Sequence, residues 1–462
     1  MKAIIVGAGK LGSRLSSALS MENYDVTVVD KSEKVIDDIS SYLDVLTVHA
    51  NGLDFDVLKE LEISSYDLLI ATTTSDEANV LICTVAKKLG CDKCIARVTN
   101  PEYHKQVGFI IDELGIDHII NPYYATAVNI EKYLLKKYLL MTDEFAGGKV
   151  KLAEFNIQTD ENFVGREIKN LEDFDDLLIA AVSRNGKTII PYGSTVLEEN
   201  DVVLICGRRE DIDLFDAEHS GIRKSRTVQK VMILGGGKLG LYLGLLLKED
   251  KIDTTIIERD KDRCMKLKER LPNATIIHGD GTNFTLLQEE MMDTNDAFVA
   301  ATGIDESNLL MALSAKQMGI YKSVAKISSP NFNQILEKLS LDGAFNTSFI
   351  TASEILRIIR GSGSLSVNLM LDGDAEFTEI LVKEGVKILN KKIMDLNLPK
   401  GILLISVVRS GKAFIPNGNT VLMPGDRVVV FCTHENIQTL KSIFYNEKKK
   451  KRDFLNELFG GN

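Results

Sequence analysis

A hexapeptide that occurs twice constrains this chain more than any other feature. Gly7-Ala8-Gly9-Lys10-Leu11-Gly12 returns as Gly235-Gly236-Gly237-Lys238-Leu239-Gly240, each time directly after a short apolar run, at residues 1–6 and 231–234. Asp30 ends the next apolar run after the first hexapeptide, and Glu258 holds the same place after the second. Strand, glycine turn, helix, strand and acid, in that order, make up the fingerprint of a dinucleotide-binding βαβ unit. Gly7 and Gly9 let the backbone turn tightly and approach a pyrophosphate, and Gly12 lets the helix lie close to the sheet. The helix N-terminus presents unpaired N–H groups to phosphate, and Asp30 is placed to accept hydrogen bonds from ribose hydroxyls.

The repetition continues past the fingerprint. His49-Ala50-Asn51-Gly52 matches His278-Gly279-Asp280-Gly281, and Ser75-Asp76-Glu77-Ala78-Asn79 matches Ile304-Asp305-Glu306-Ser307-Asn308. Ala96-Arg97 followed by Pro101 matches Ala325-Lys326 followed by Pro330. Within the first copy, helical stretches at 34–41, 54–61 and 77–89 alternate with strands at 45–48, 67–71 and 94–98, and a last strand lies near Ile119. Such alternation predicts an α/β fold, a parallel sheet with helices on both faces. The carboxyl ends of its strands, where ligands bind in these folds, carry Gly7, Asp30, Asn51, Thr72 and Arg97. A helix over 126–140 ends the copy.

Gly147-Gly148 marks a change of texture. Residues 178–182, 188–191 and 201–206 read as antiparallel strands, with Asn185-Gly186 supplying a hairpin turn inside Arg184-Asn185-Gly186-Lys187. This smaller module also returns, as 403–407, Arg409-Ser410-Gly411-Lys412, 414–416 and 426–430. The chain is therefore ordered A, B, A′, B′. A polar linker, 216–229, joins B to A′. The chain closes on Lys448-Lys449-Lys450-Lys451-Arg452 and an apolar-punctuated tail with Phe454, Leu455, Leu458 and Phe459, read as a solvated tail with contact to an anionic membrane surface or a membrane partner as the lesser alternative.

Composition narrows the function. The length of 462 residues allows about two to four domains, and 44% apolar residues suffice to fold them. No apolar run reaches the roughly 18 residues that span a bilayer, so the chain is expected to be soluble and intracellular. A net charge of −11 argues against nucleic acid as a partner. Among six cysteines, Cys91-Asp92-Lys93-Cys94 has metal-ligand spacing but no second pair to complete a zinc site, and reads as two buried thiols. Tyr133 and Lys137 have the spacing of one dehydrogenase class, yet no serine stands in the dozen or so residues before them and the segment reads as an ordinary amphipathic helix. The histidines form no cluster; His49 and His278 suggest a shared structural role. No Walker-type Gly-Lys-Ser/Thr is present, and no separate substrate domain follows either fingerprint.

Two nucleotide turns without catalytic equipment point to a sensor. The alternative is an NAD-dependent oxidoreductase with a degenerate second half. Asp30 repels a 2′-phosphate and so favours NAD(H) at the first turn. Glu258 can likewise bind ribose hydroxyls at the second, where Arg259 and Lys238 are placed to neutralise or stack on an adenine nucleotide. Lys10 stands inside the first turn, beside any phosphates.

The pattern resembles the TrkA family, the cytosolic regulatory subunits of Trk-type potassium uptake systems, built from tandem RCK (regulator of potassium conductance) domains. The hexapeptide with Asp30, Thr72-Thr73-Thr74-Ser75-Asp76-Glu77-Ala78-Asn79, Ala96-Arg97 with Pro101, and the Arg-x-Gly-Lys, Ile-Pro and Asp201 or Asp426 of the B modules carry the likeness over nearly the whole chain. The resemblance implies two Rossmann-like RCK N-lobes, 1–140 and 228–360, each followed by a small α+β C-lobe, 148–215 and 366–446, with a tail at 447–462. It implies NAD(H), ATP or ADP in the N-lobes, with Lys31, Thr72, Thr73, Thr74, Asp76, Asn79 and Arg97 joining the first site. Asp280, Thr302, Gly303, Asn308 and Lys326 join the second. It also implies a homotetramer, a ring of eight RCK domains, beneath a membrane-embedded Trk-type potassium transporter, peripheral on the inner face of the cell membrane. A lysine of the turn, Lys10 or Lys238, would reach across a module interface to a terminal phosphate. Relatives that bind a divalent ion carry Pro-Glu where this chain has Pro122-Tyr123 and Thr347-Ser348, so no metal site is expected.

Overall fold

A computed structural model of the chain describes residues 1–462 apart from 22–23, 136–141, 158–161, 172–173, 175–176, 185–186, 200, 220–227, 291, 330–340, 342, 361–363, 371–374 and 445–462. The first copy alternates β1 (Lys2–Val6), α1 (Lys10–Met21), β2 (Asp25–Asp30), α2 (Glu33–Ser40), β3 (Leu46–His49), α3 (Phe55–Glu60), β4 (Leu68–Ala71), α4 (Asp76–Lys88), β5 (Lys93–Arg97), α5 (Val107–Leu114), β6 (His118–Ile120) and α6 (Pro122–Leu135). Its strands form a parallel six-stranded sheet in the order β3-β2-β1-β4-β5-β6. Because helices cover both faces, the central strands bury every side chain: Ala3, Ile4, Ile5 and Val6 are all inaccessible or nearly so, as are Leu68 to Ala71. That is why β1 reads as a continuous apolar run rather than an alternating one. The order reverses between β1 and β4, and ligand crevices in such sheets open at that switch point.

A small antiparallel module follows: β7 (Thr142–Phe145), β8 (Val150–Asn156), β9 (Leu178–Arg184), β10 (Lys187–Ile189), β11 (Val202–Arg208) and α7 (Arg209–His219), with sheet order β10-β9-β11-β8-β7. Then the first architecture returns in β12 (Lys230–Leu234), α8 (Lys238–Glu249), β13 (Asp253–Glu258), α9 (Lys261–Arg270), β14 (Thr275–His278), α10 (Phe284–Glu289), β15 (Ala297–Ala300), α11 (Asp305–Gln317), β16 (Lys322–Ile327), β17 (Gly343–Asn346) and α12 (Thr347–Arg360). The sheet order β14-β13-β12-β15-β16-β17 repeats the first sheet. The second small module comprises β18 (Ser364–Met370), β19 (Ala375–Leu381), β20 (Ile402–Arg409), β21 (Lys412–Phe414), β22 (Arg427–Thr433) and α13 (Ile437–Phe444).

The chain separates into two compact units that do not follow chain order: residues 1–137 with 226–355, and residues 138–225 with 356–462. In the first unit the two Rossmann copies pack together through the helices that close them. Asn121, just before α6, donates from Nδ2 to the Tyr242 hydroxyl on α8 (2.7 Å), and Tyr124 meets Tyr242 edge-on with ring centroids 5.6 Å apart. The matching contact of the other copy is a cation–π pair, Arg14 of α1 lying 4.6 Å from the Phe349 ring of α12. Buried Lys322 donates to the carbonyls of Tyr133 (2.6 Å) and Leu134 (3.1 Å), placing a cation at the C-terminal end of α6. Tyr133 is thus buried among structural partners. Lys137 lies outside the described residues.

In the second unit alternation assigns each sheet face. Along β11, Val203 and Ile205 turn toward Ile212 and Phe215 of α7, while Leu204 and Cys206 join Phe377, Val429 and Phe431 of the other sheet. Along β22, Val428, Val430 and Cys432 turn toward Ile437, Leu440 and Phe444 of α13. Two sheets back to back with a helix outside each bury both faces of β11 and β22, and each fully buried Val, Leu or Phe contributes about 1.5–3 kcal/mol. The conspicuous residues of the B modules are now explained. Arg184 grips buried Asp201 with Nε and Nη2 (2.8 and 2.7 Å), and Arg409 grips buried Asp426 at the same two distances. Each aspartate also accepts a backbone N–H from three residues earlier, of Glu198 and Met423.

Several sequence expectations change. Gly147-Gly148 is the turn of the β7–β8 hairpin, with φ of +67° and +85°, so the antiparallel module already begins before it. Residues 216–219 belong to α7 rather than to a linker. Helix α5 and strands β7 and β8 were not anticipated. The Asn185-Gly186 turn, Pro330, most of the 216–229 linker and the basic tail lie outside the described residues. Cys91 and Cys94 are buried; the neighbouring Cys94 thiol, and then burial, pushes Cys91 up, while contact with Cys83 pushes Cys94 up. Neutral, buried thiols of this kind are poor metal ligands. Among the described residues no group of three or more His, Cys, Asp or Glu side chains is arranged to hold a metal ion. No helix among them is long and apolar enough to cross a membrane.

Candidate nucleotide site

Gly7 follows β1 with φ +98°, and a Cβ there would stand 2.7 Å from the Thr73 nitrogen; Gly235 repeats this with φ +106°. Gly12 lies against the turn itself, where a Cβ would be 1.9 Å from the Gly7 carbonyl oxygen. These glycines are demanded by the protein. Gly9 is not: it has no positive φ, and a Cβ there would meet none of the described residues within 4 Å. The same holds for Gly237. Leu11 and Leu239 are buried under the sheet, whereas Lys10 and Lys238 are exposed.

Asp30 closes the first turn. Its Oδ2 accepts the Ala8 N–H (2.6 Å) and its Oδ1 the Ser32 N–H (2.9 Å). Glu258 copies this with Gly236 N–H to Oε2 and Asp260 N–H to Oε1, both 2.9 Å. Next to these ends, Lys31 and Arg259 are exposed, and their carbonyls take hydrogen bonds from His49 Nε2 and His278 Nε2, each at 3.1 Å. The two histidines therefore do share a structural role.

The ends of β4 and β5 are pinned by a buried asparagine. Asn79 Oδ1 accepts from the Thr73 N–H (2.8 Å) and Oγ1 (2.7 Å), and its Nδ2 donates to the Thr73 and Arg97 carbonyls. Asn308 makes the same four bonds to Thr302 and Lys326. Both asparagines are fully buried and hold the crevice floor in shape. Thr72 Oγ1 donates to the Gly7 carbonyl (2.7 Å), tying β4 to the turn. Arg97 donates to the Thr73 carbonyl (2.8 Å), while Thr74 and Gly303 are exposed on the rim. Asn51 and Asp280 are exposed and cap their own loops, accepting from the Leu53 and Thr282 N–H groups. Asp76 is buried, accepting from Thr99 Oγ1 (3.1 Å) and the Asn100 N–H (2.7 Å).

The two crevices meet each other's copy. Lys238 Nζ donates to Thr99 Oγ1 (2.5 Å), which in turn donates to Asp76 in the first copy. In the opposite sense, buried Lys326 is pushed down by burial and further by the charge of Lys10, while its contact with Asp305 (3.4 Å) opposes that shift. The sequence reading did not single out Thr99, Arg263 or Leu267. Arg263 Nη1 lies 3.2 Å from Glu258 Oε2, and a Cβ on Gly236 would stand 2.3 Å from Leu267 Cδ1.

A doubled Rossmann turn with a ribose acid, followed each time by an antiparallel lobe, defines the class: a tandem RCK-type nucleotide-binding fold. The TrkA-N domain description matches residues 3–122 and 231–347, and the TrkA-C domain description matches 152–219 and 377–445. The chain belongs to the TrkA family of Trk-system potassium uptake proteins. It is 34% identical to the Trk system potassium uptake protein TrkA homolog 1 of Methanosarcina mazei over 93% of this chain and 97% of that protein. It is 32% identical to TrkA of Halomonas elongata over 93% and 95%. Among solved structures, the GsuK RCK domain superposes with a TM-score of 0.60 at 17% identity, covering 96% of this chain and 94% of that one. The GsuK channel bound to NAD gives 0.59 at 18%, covering 96% and 78%. At these identities the structural likeness speaks to the fold alone.

Proposed function

We propose that this chain is the peripheral, cytosolic regulatory subunit of a potassium uptake system, binding NAD(H) and adenine nucleotides in its Rossmann crevices and gating a membrane-embedded Trk-type transporter. The observation that carries the nucleotide reading is Gly9. Among the described residues nothing requires a glycine there, whereas a pyrophosphate approaching the start of α1 does. The residues beside it divide into two groups. Gly7, Gly12, Thr72, Asn79 and Arg97 shape the crevice, while Gly9, Lys10, Lys31, Thr74 and Asp30 face or border it. The NAD-bound GsuK channel has a like fold, which supports the same use of the crevice here.

The chain acts as a sensor and not as a catalyst. A ligand moves the protein only by its differential affinity for two shapes, and the Lys238–Thr99–Asp76 contact is one that a bound phosphate would compete for. The working form is a homotetramer, a ring of eight RCK domains on the inner face of the membrane. Leu81 of α4 and Leu310 of α11, at matching positions, are 46% and 61% exposed, and Phe109 of α5 is 67% exposed. Apolar side chains on the outer helices of both copies suit burial against further copies. Affinity purification of the chain from its native cells tests this reading: a potassium transporter copurifies, and deletion of the chain abolishes high-affinity potassium uptake. NADH oxidation against a broad panel of carbonyl compounds, with no transporter effect, would instead establish the oxidoreductase.

A further inference from the structure

The two glycine turns share a backbone but not the surroundings of their acids. Asp30 accepts one backbone N–H on each oxygen and stays partly accessible. Glu258 is 5% exposed and accepts a third, charged donor, Arg263 Nη1 at 3.2 Å. Arg263 is held in position by its own helix: Asp260 caps α9 by accepting the Arg263 N–H (3.0 Å), which fixes that residue in the first turn, from where its side chain folds back onto Glu258. The first copy has Val35 at this place and no side-chain cap on α2. Leu267 adds to the difference by filling the space over Gly236, where the first copy accommodates the methyl group of Ala8.

A ribose diol is recognised by donating its hydroxyls to the acid at the end of the second strand. At Asp30 lone pairs remain for that. At Glu258 a diol donating both hydroxyls must displace a guanidinium from a buried carboxylate, giving up an ion pair for a hydrogen bond from a neutral donor. We propose that Arg263 sets the two nucleotide turns apart: it occupies the ribose acid of the second copy, so that a dinucleotide with a free adenosine ribose fills the first turn and binds the second at least about tenfold more weakly, ~1.4 kcal/mol. Resting on the nucleotide-binding reading above, this makes the second turn a reserve site, opened when Arg263 is drawn away.

Isothermal titration of the full-length chain with NADH tests it. Wild type takes up one NADH per chain; Asp30→Asn, which keeps an acceptor oxygen for the turn, removes that site; Arg263→Ala adds a second NADH per chain. Arg263→Gln, which keeps the length of the side chain without its charge, gives the same gain and guards against a folding artefact. Two equal sites in wild type, a single site that survives Asp30→Asn, or a stoichiometry unmoved by both Arg263 variants overturns the proposal. Absence of any NADH heat from every variant overturns the nucleotide reading beneath it as well.

Discussion

The two Rossmann copies keep the same turn and have diverged around it, whereas the two antiparallel lobes have kept the same arginine–aspartate pair. Gly7 and Gly235, Gly12 and Gly240, and Asn79 and Asn308 make the same contacts. Around them, α2 carries Glu33, Asp37 and Asp38 against a single Lys34, while α9 carries Lys261, Arg263, Lys266, Lys268 and Arg270 against Asp262 and Glu269. One acid is left accessible and the other is buried under an arginine. In the antiparallel lobes, Arg184–Asp201 and Arg409–Asp426 match bond for bond. Where a contact holds a fold, duplication preserves it; where it meets a ligand, the copies are free to specialise.

The largest effect probes the conserved half of this contrast. Asp201→Ala and Asp426→Ala each remove the buried carboxylate that an arginine grips with two bonds, a loss of about 3–5 kcal/mol in chemical denaturation at Asp426 and a smaller one at Asp201, because Arg184 keeps its contact with Glu198 where the other lobe has Met423. The larger loss at Asp426 is the expected result, and a loss at only one position would show that this shared grip has diverged too. Next comes Gly9→Ala. Because a Cβ there meets no atom of the described residues, the melting temperature stays put while NADH affinity falls about tenfold, ~1.4 kcal/mol, read by titration. A smaller difference separates the turn lysines. Lys238→Met loses the bond to Thr99 and costs about 1 kcal/mol, whereas Lys10→Met, which removes a charge acting against Lys326, leaves stability unchanged or raised.

The smallest effect depends on pH. Burial, together with the Asp250 carboxylate that faces it across the packing of α6 on α8, pushes Glu131 up to about 7, with Glu249 adding to the shift and Lys132 opposing it. A carboxyl raised in the folded state binds its proton more tightly there than in the unfolded chain. Its favourable contribution is therefore complete below the ordinary value of 4.5 and is lost as pH rises through about 7. Glu131→Gln should flatten the melting temperature across that window. The matching position in α12 is Leu356, so Leu356→Gln should give no such flattening.

Much of the fold was legible because fully buried parallel strands leave uninterrupted apolar runs and because every signal appeared twice. The glycine turns, Asp30 and Glu258 were visible for the same reason. What escaped has physical causes. The grouping of A with A′ and of B with B′ depends on contacts such as Lys322 to the end of α6, which join residues far apart in sequence. Helix α5 buries only Ile110, too little to mark a period. Asn79 read as a ligand contact because a buried polar residue and a binding one look alike until its four partners are known. Arg263 was one of many charges on a basic helix, and only the fold-back onto Glu258 distinguishes it.

The most direct test of the central claim is potassium flux through proteoliposomes that hold the purified transporter and this chain, with NADH, ATP or ADP added in turn. The account predicts that at least one of these nucleotides changes the flux severalfold and that Asp30→Asn abolishes the response while leaving the complex assembled. Nucleotide binding with no change in flux, or a response that Asp30→Asn leaves intact, would contradict it.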